Sequence, residues 1–317
     1  MNYRIAAILI ASAALLFQAD AAAQVQTPSA EEVVAQAAER SKAYTEAFKN
    51  LISEEKKTFE IYDKKGDVKK RRTVDSVFVV YPLSKKEGAV AEFRNVTAVD
   101  GKPVANSEAR ATDFFEKVSA SADSRSELIR IQQESSRYDE DFAIDGLTLF
   151  PAIALTDELR PFFRFTVQTT SPIGGKPSYT IAYEQIRPHP SITVNSRSAG
   201  ATNNYDIELD EDEIELNPRV RGRIVVDADS FNLRYEQRER TIQPGGSPSP
   251  IVVAEDKFQY HDSDHGILTP KLIEHLQYRV FVKDRRVQKD TRILLEYGKF
   301  TRPDVEVKSS EVKGEKP

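Results

Sequence analysis

The chain has no cysteine and no tryptophan, and only one methionine and four histidines among its 317 residues. Without cysteine no disulfide can staple the fold, no thiolate can attack a substrate, and no lipid can be carried on a thiol. The fold must therefore rest on its own core. Charge of neither sign dominates: 45 Lys and Arg stand against 50 Asp and Glu, a formal net charge of −5. Composition thus offers no cationic excess for nucleic acid. A Gly-x-Ser-x-Gly elbow is absent, and Ser53-Glu54-Glu55-Lys56 matches Ser-x-x-Lys with no partner motif after it. The stretch PIGGKPS lacks the upstream glycine of a phosphate loop and has Pro177 where Ser or Thr would be needed. These absences weigh against an enzyme and imply no cofactor.

Long apolar runs are equally scarce. Ile5 to Phe17 is the longest, about thirteen residues, short of the roughly 20 that span a bilayer. It follows Arg4 and precedes Ala21 and Ala23, the layout of a secretory signal peptide cleaved near Ala23. The expectation is export to the periplasm or the extracellular space as a soluble chain without a transmembrane span. Residues 24–307 are read as one domain and 308–317 as a polar, disordered tail.

Within that domain the apolar period changes twice. Ser29-Ala30-Glu31-Glu32 is a capping box, and Val33, Val34, Ala37, Ala38, Tyr44, Phe48 and Leu51 give the following helix an apolar face. Phe59, Ile61 and Val77 to Tyr81 read as strands joined through the charged turn DKKGDVKKRR, whose Lys69 to Arg72 reads as a solvated hairpin end. Val99-Asp100-Gly101-Lys102-Pro103-Val104 resembles the hairpin of a PDZ domain, yet the preceding YPLSKKEGAVAEF offers no carboxylate-binding glycine loop. A tight Asp-Gly turn between strands is expected instead. Two helices are expected over about 106–140, carrying Phe114 and Phe115 on one face. The apolar stretch DGLTLFPAIALTDELRPFF follows, and with it Leu149 and Phe150.

From Phe162 onward the period is two. Phe163, Phe165 and Val167 share a face, as do Tyr179, Ile181 and Tyr183; Leu233 with Tyr235, Phe258 with Tyr260, Leu276 with Tyr278 and Val280, and Ile293 with Leu295 and Tyr297 repeat it. So many alternating strands cannot form a flat sheet. The expected fold is α+β: a large curved antiparallel sheet, an open half-barrel wrapped over helices, with an N-terminal helix and a helical insertion. Two stretches, Arg221 to Glu239 (with Gly222, Asp227, Ser230 and Leu233) and His265 to Phe300 (with Pro270 and Tyr297), resemble the hairpin and closing strands of the LolA-like superfamily of periplasmic lipoprotein carriers. The resemblance covers about a quarter of the chain. It implies that fold, and a hydrophobic cavity for an acyl chain or lipidated segment.

Phe163, Phe165, Val167, Tyr179, Ile181, Tyr183, Phe114, Phe115, Leu149 and Phe150 are the expected lining of such a cavity. Partners would be a hydrophobic small molecule or an acylated protein. The alternatives are an envelope scaffold that docks proteins through sheet edges or the Val99–Val104 hairpin, and a hydrolase using His261 and His265. His261, Asp264 and His265 are the best metal-ligand candidates, in a segment that reads as a solvated turn rather than as four ordered ligands. Asp206, Glu208, Asp210 and Asp212 read as a charge-guarded edge strand.

Overall fold

The structure is a computed structural model and describes residues 28–84, 86, 89–139, 152–173, 175–190, 192, 217–245, 249–281 and 284–302. The signal segment, Leu149, Phe150, the Asp206–Asp212 stretch and the polar tail lie outside the described residues. Helix α1 (Ala30–Ala47) is followed by strands β1 (Ile52–Tyr62), β2 (Val68–Pro82), β3 (Val90–Val99) and the short β4 (Lys102–Pro103). Helices α2 (Ser107–Ser119) and α3 (Ser124–Ser135) come next. Then come β5 (Phe163–Ile173), β6 (Lys176–Gln185), β7 (Arg219–Asp227), β8 (Leu233–Ile242), β9 (Ile251–Asp262), β10 (Leu268–Phe281) and β11 (Arg286–Tyr297). The capping box at the start of α1 is formed: Ser29 N–H donates to Glu32 Oε2 at 2.7 Å and Glu32 N–H to Ser29 Oγ at 3.2 Å.

All eleven strands form one open antiparallel sheet, curved over helices, in the order β4-β3-β2-β1-β11-β10-β9-β8-β7-β6-β5. From β5 to β11 the chain is a simple meander. The join that closes the order is β1 against β11, with Glu55 opposite Tyr297 and Phe59 opposite Ile293. The inner face carries two apolar clusters. One is built on Phe48, Phe59, Phe78, Phe258, Ile273, Leu295 and Phe300; the other on Val33, Ala37, Leu155, Ile181 and Ile224. Leu233 packs against both.

The outer face is kept soluble by charge pairs that cross from strand to strand. Arg164 meets Glu184 at 2.8 Å, Arg221 meets Glu239 at 2.7 Å, and Lys257 lies between Glu255 (2.6 Å) and Glu274 (3.4 Å). Arg292 joins Glu274 (2.6 Å) to Glu60 (3.3 Å), which Arg71 also holds at 2.6 Å. Singly such pairs contribute little. In register across neighbouring strands they favour this pairing over any shifted by one residue, which would turn each charge inward.

One expected face assignment is corrected by a bulge. The β7–β8 register shifts between Val225 and Val226, so Leu233 faces inward while Tyr235 lies under the Arg223 guanidinium, 5.6 Å away, on the outer face. An extra residue reverses the alternation at that point, and period two alone cannot show it.

The Asp100-Gly101 turn is structural. Both residues have positive φ, 49° and 73°, as a two-residue turn between paired strands requires. Asp100 also fastens the turn to β2, accepting Thr73 N–H at its Oδ1 and donating its own N–H to Thr73 O, both at 2.8 Å. No atom lies within 4 Å of a side chain added at Gly101, so a substitution there tests backbone conformation alone. Gly101→Val is expected to lower unfolding stability by about 1–2 kcal/mol in urea titration. Gly101→Asn, which tolerates the left-handed region, should lose much less, and equal losses would contradict this account.

Helices α2 and α3 do not fill the concave face. They seal its edge. Ser135 Oγ accepts Arg94 N–H (3.1 Å) and donates to Glu92 O (3.2 Å), while Arg110 donates to Val96 O at 2.9 Å. The unpaired backbone of β3 is thereby satisfied by side chains, the usual remedy for an exposed strand edge.

Candidate functional site

The C-terminal half of α1 crosses the inner face above the ends of β7 and β9 and the starts of β8 and β10. Between them is a cavity of about 20 Å³, lined by Ala37, Arg40, Ser41, Tyr44, Leu155, Val226, Asn232, Leu233, Tyr260 and Leu268. That is room for one or two waters, far below the roughly 300 Å³ of a small ligand pocket. Its walls are mostly apolar, yet three hydroxyls open on it: Ser41 Oγ, Tyr44 Oη and Tyr260 Oη are buried with no hydrogen-bond partner among the described residues. The two tyrosine rings meet edge to face at 6.0 Å. Burial, with the neighbouring Tyr260 and Tyr297 hydroxyls, pushes the Tyr44 hydroxyl far above its ordinary pKa. Burial and Glu236 do the same to Tyr260. Both stay protonated and can donate. Three buried donors without acceptors are costly unless something supplies the acceptor.

Buried charge flanks this cavity on both sides. On β8 and β9, Glu236 is wholly buried and accepts Tyr183 Oη–H at 2.8 Å and both prongs of Arg238 at 3.1 Å. Asp256, 1% exposed, meets His275 Nδ1 at 2.7 Å. Burial pushes the Asp256 carboxyl up, but His275 and Arg238 outweigh it and bring it down to about 2. On β1 to β3, Arg94 clamps Glu55 through two bonds of 2.7 and 2.9 Å and reaches Glu92 at 2.8 Å. Burial disfavours ionised Glu55, yet Arg94 holds its carboxyl below the usual range. Beside it, Lys57 is bound to both Asp139 oxygens at 2.6 Å. Its ammonium is pushed down by burial and by Arg94.

Asp256 orients the His275 ring as an acid–base pair would, and His275 Nε2 is buried with no partner among the described residues. The ring faces Phe258, 6.0 Å away and edge-on, and Ile293 is its cross-strand neighbour on β11. Among the described residues no nucleophile is hydrogen-bonded to that nitrogen.

The six strand residues expected to line a cavity do share the inner face, since Phe165 pairs with Tyr183 and Val167 with Ile181. They lie in the second cluster, packed against Val33, Ala37, Ile153 and Leu159. None of them borders the cavity under α1. Phe114 and Phe115 are brought to a different place altogether. They pack on Phe93 at 4.9 and 4.6 Å in a satellite cluster with Ala91, Val118 and Ile131, because Phe93 points away from the Arg94 face. A second hollow, about 530 Å³ and open, is lined by Tyr183, Glu184, Arg221, Gly222, Arg223, Gln237 and Glu239. Its charges are already engaged: Arg221 with Glu239, Glu184 with Arg164 and Arg223 with Tyr235. His261, Asp264 and His265 do not converge. Asp264 pairs with Lys299 at 2.8 Å, and His265 Nε2 lies 3.0 Å from Phe300 O. Among the described residues no group of three or more acidic or histidine side chains is placed to hold a metal ion.

No family model and no curated protein matches this chain. Two solved structures resemble it. One is a DUF1329 family protein from Desulfovibrio piger, 10% identical, with a TM-score of 0.35 over 88% of this chain and 95% of that one. The other is a LolA superfamily protein from Nitrosomonas europaea, 13% identical, with a TM-score of 0.30 and the same coverage of both chains. Among the described residues no helix is long and apolar enough to cross a membrane.

Proposed function

We propose that this chain is an exported, non-catalytic envelope protein that holds a hydrophobic ligand, an acyl chain or lipidated segment, between α1 and the concave face of the sheet. The observation that carries the reading is the trio of buried hydroxyls, Ser41, Tyr44 and Tyr260, opening on an apolar cavity. A chain ending in a carbonyl or carboxylate would give those donors an acceptor, while Leu155, Val226, Leu233 and Leu268 would take its methylenes at about 0.8 kcal/mol each. The ligand enters only when α1 lifts. The helix is suited to that, because its buried positions Val33, Val34, Ala37 and Ala38 are small and its tie to Asp157 through Lys42 is exposed. Arg4, the Ile5–Phe17 run and the Ala21 and Ala23 positions support export.

The test is titration of the exported protein with a fluorescent fatty-acyl probe. Saturable binding at micromolar concentration is expected. Tyr260→Phe should weaken it several-fold, the worth of one hydrogen bond, while leaving stability unchanged or raised because a buried unbonded hydroxyl is gone. A folded protein that shows no saturable binding would remove this reading. A Tyr260→Phe variant both destabilised and unchanged in affinity would place that hydroxyl in the core rather than in a binding site.

A further inference from the structure

Of the four large apolar side chains that stand exposed among the described residues, two are valines at hairpin tips: Val68, 42% exposed, and Val287, 43%. Both tips lie at one end of the sheet, because the end of β1 runs beside the start of β11, with Ile61 opposite Thr291. A direct bond ties them together, Gln288 Nε2 donating to Asp63 O at 2.6 Å. Each tip is basic. Residues 63–71 hold five cations against two acids, and residues 284–289 hold three against one, in a chain whose total is −5. Lys64, Lys65, Lys69, Arg286 and Lys289 are exposed. Two rings stand among them, each beside a cation: Lys289 Nζ lies 5.6 Å from the centre of Tyr62, and the Arg286 guanidinium 3.8 Å from that of Phe281.

We propose that these two tips dock the protein on an anionic membrane surface. Lysines and arginines around exposed valines and ring edges suit the headgroup boundary, where cations meet lipid phosphate and apolar side chains enter the acyl edge. A nucleic acid or an acidic protein would use the cations and leave the valines in water. The β1–β2 tip is also held in shape, Asp63 Oδ1 accepting Lys65 N–H at 2.8 Å and Asp67 N–H at 3.0 Å, so little ordering remains to be done on contact. The inference is independent of the ligand reading. Leu268, on the rim of the cavity, begins β10, and the basic tip follows its other end thirteen residues later, roughly 40 Å along an extended strand.

Sedimentation of the protein, recovered after export, with vesicles of phosphatidylglycerol and phosphatidylethanolamine tests this directly, with phosphatidylcholine vesicles as the neutral comparison. Binding to the anionic vesicles alone is expected, reversed by high salt but not by millimolar inorganic phosphate. The triple variant Lys64→Glu, Lys65→Glu, Lys69→Glu should lose at least tenfold in partitioning, and Val68→Ser with Val287→Ser should lose several-fold with every charge retained. The melting curves of both should match the parent, because all five side chains are exposed. Equal binding to neutral vesicles, or unchanged partitioning in either variant, overturns the proposal. So does tighter binding to nucleic acid or to a soluble polyanion than to the anionic vesicles.

Discussion

Arg94→Leu is expected to destabilise the fold by about 3–5 kcal/mol, the usual consequence of breaking a buried ion pair from one side. Arg94 is 8% exposed, and its partners Glu55 and Glu92 are 2% and 6% exposed. Leucine would keep contact with Phe78, over whose ring the guanidinium now lies at 4.9 Å, so little of the loss would come from packing. The loss would come from carboxylates stripped of their cation. Ser76 would still donate to Glu55 at 3.2 Å, and Lys57 is already committed to Asp139. The pH dependence identifies the cause. Without Arg94, burial is left to raise the Glu55 pKa above its unfolded value, so the folded state would bind a proton that the unfolded state releases near neutrality. The deficit should therefore be largest at pH 7 and shrink toward pH 4, read by denaturant titration at each pH. Arg94→Lys should lose less, retaining charge without the two-pronged grip. Replacing Glu55, Glu92 and Arg94 together by apolar residues should recover most of the stability. An unchanged unfolding midpoint in Arg94→Leu would mean that this cluster is not formed.

That prediction rests on residues the sequence could not single out. Alternation identified the strands, because one face of each is apolar for several steps: Phe163 to Val167, Tyr179 to Tyr183 and Ile293 to Tyr297 all lie as their spacing indicates. It failed where the inward set is itself charged. Glu55 and Lys57 are in phase with Phe59, and Glu236, Arg238 and Arg240 occupy the inward positions of β8, yet their outward neighbours, Glu54, Lys56, Gln237, Glu239 and Thr241 among them, are polar too. A period-two signal needs contrast between faces, and here there is none. The pairing of β1 with β11 is equally invisible, since it joins segments more than two hundred residues apart without any turn to announce it. The cavity was missed for a third reason. It lies where α1 crosses the sheet, so its lining comes from four strands, a loop and a helix, and depends on a crossing position that no local pattern encodes. What could have pointed to it is the spacing of Arg40, Ser41 and Tyr44, polar groups on the flank of a helix face that is otherwise Val, Ala and Phe.

The inner face thus alternates along the sheet between apolar clusters and buried charge, and one glycine makes room for the Tyr183 ring that bonds the buried Glu236. Gly222→Ala is expected to lose about 2–5 kcal/mol, as much as a large core substitution. A methyl placed there would meet the Gln237 carbonyl oxygen at 2.2 Å and the Tyr183 Oη and Cζ at 2.6 and 2.7 Å. Neither neighbour is free to retreat. Gln237 is in the β7–β8 ladder, paired with Arg223 beside the glycine. The Tyr183 hydroxyl is the donor to Glu236, and burial with that carboxylate holds it protonated, far above its ordinary pKa. Moving the ring away would take a hydrogen bond from the wholly buried Glu236, and moving β8 away would break hydrogen bonds on both sides of the glycine. The two causes can be separated by a double-mutant cycle. In a Tyr183→Ala background the ring is gone, so Gly222→Ala should cost less than in the parent. It should still cost something, because the Gln237 carbonyl remains. Full additivity would show that the ring takes no part in the clash. A complete loss of the effect would show that the strand backbone yields freely. Either result would break the argument that Gly222 exists to let Tyr183 reach Glu236 across the strand.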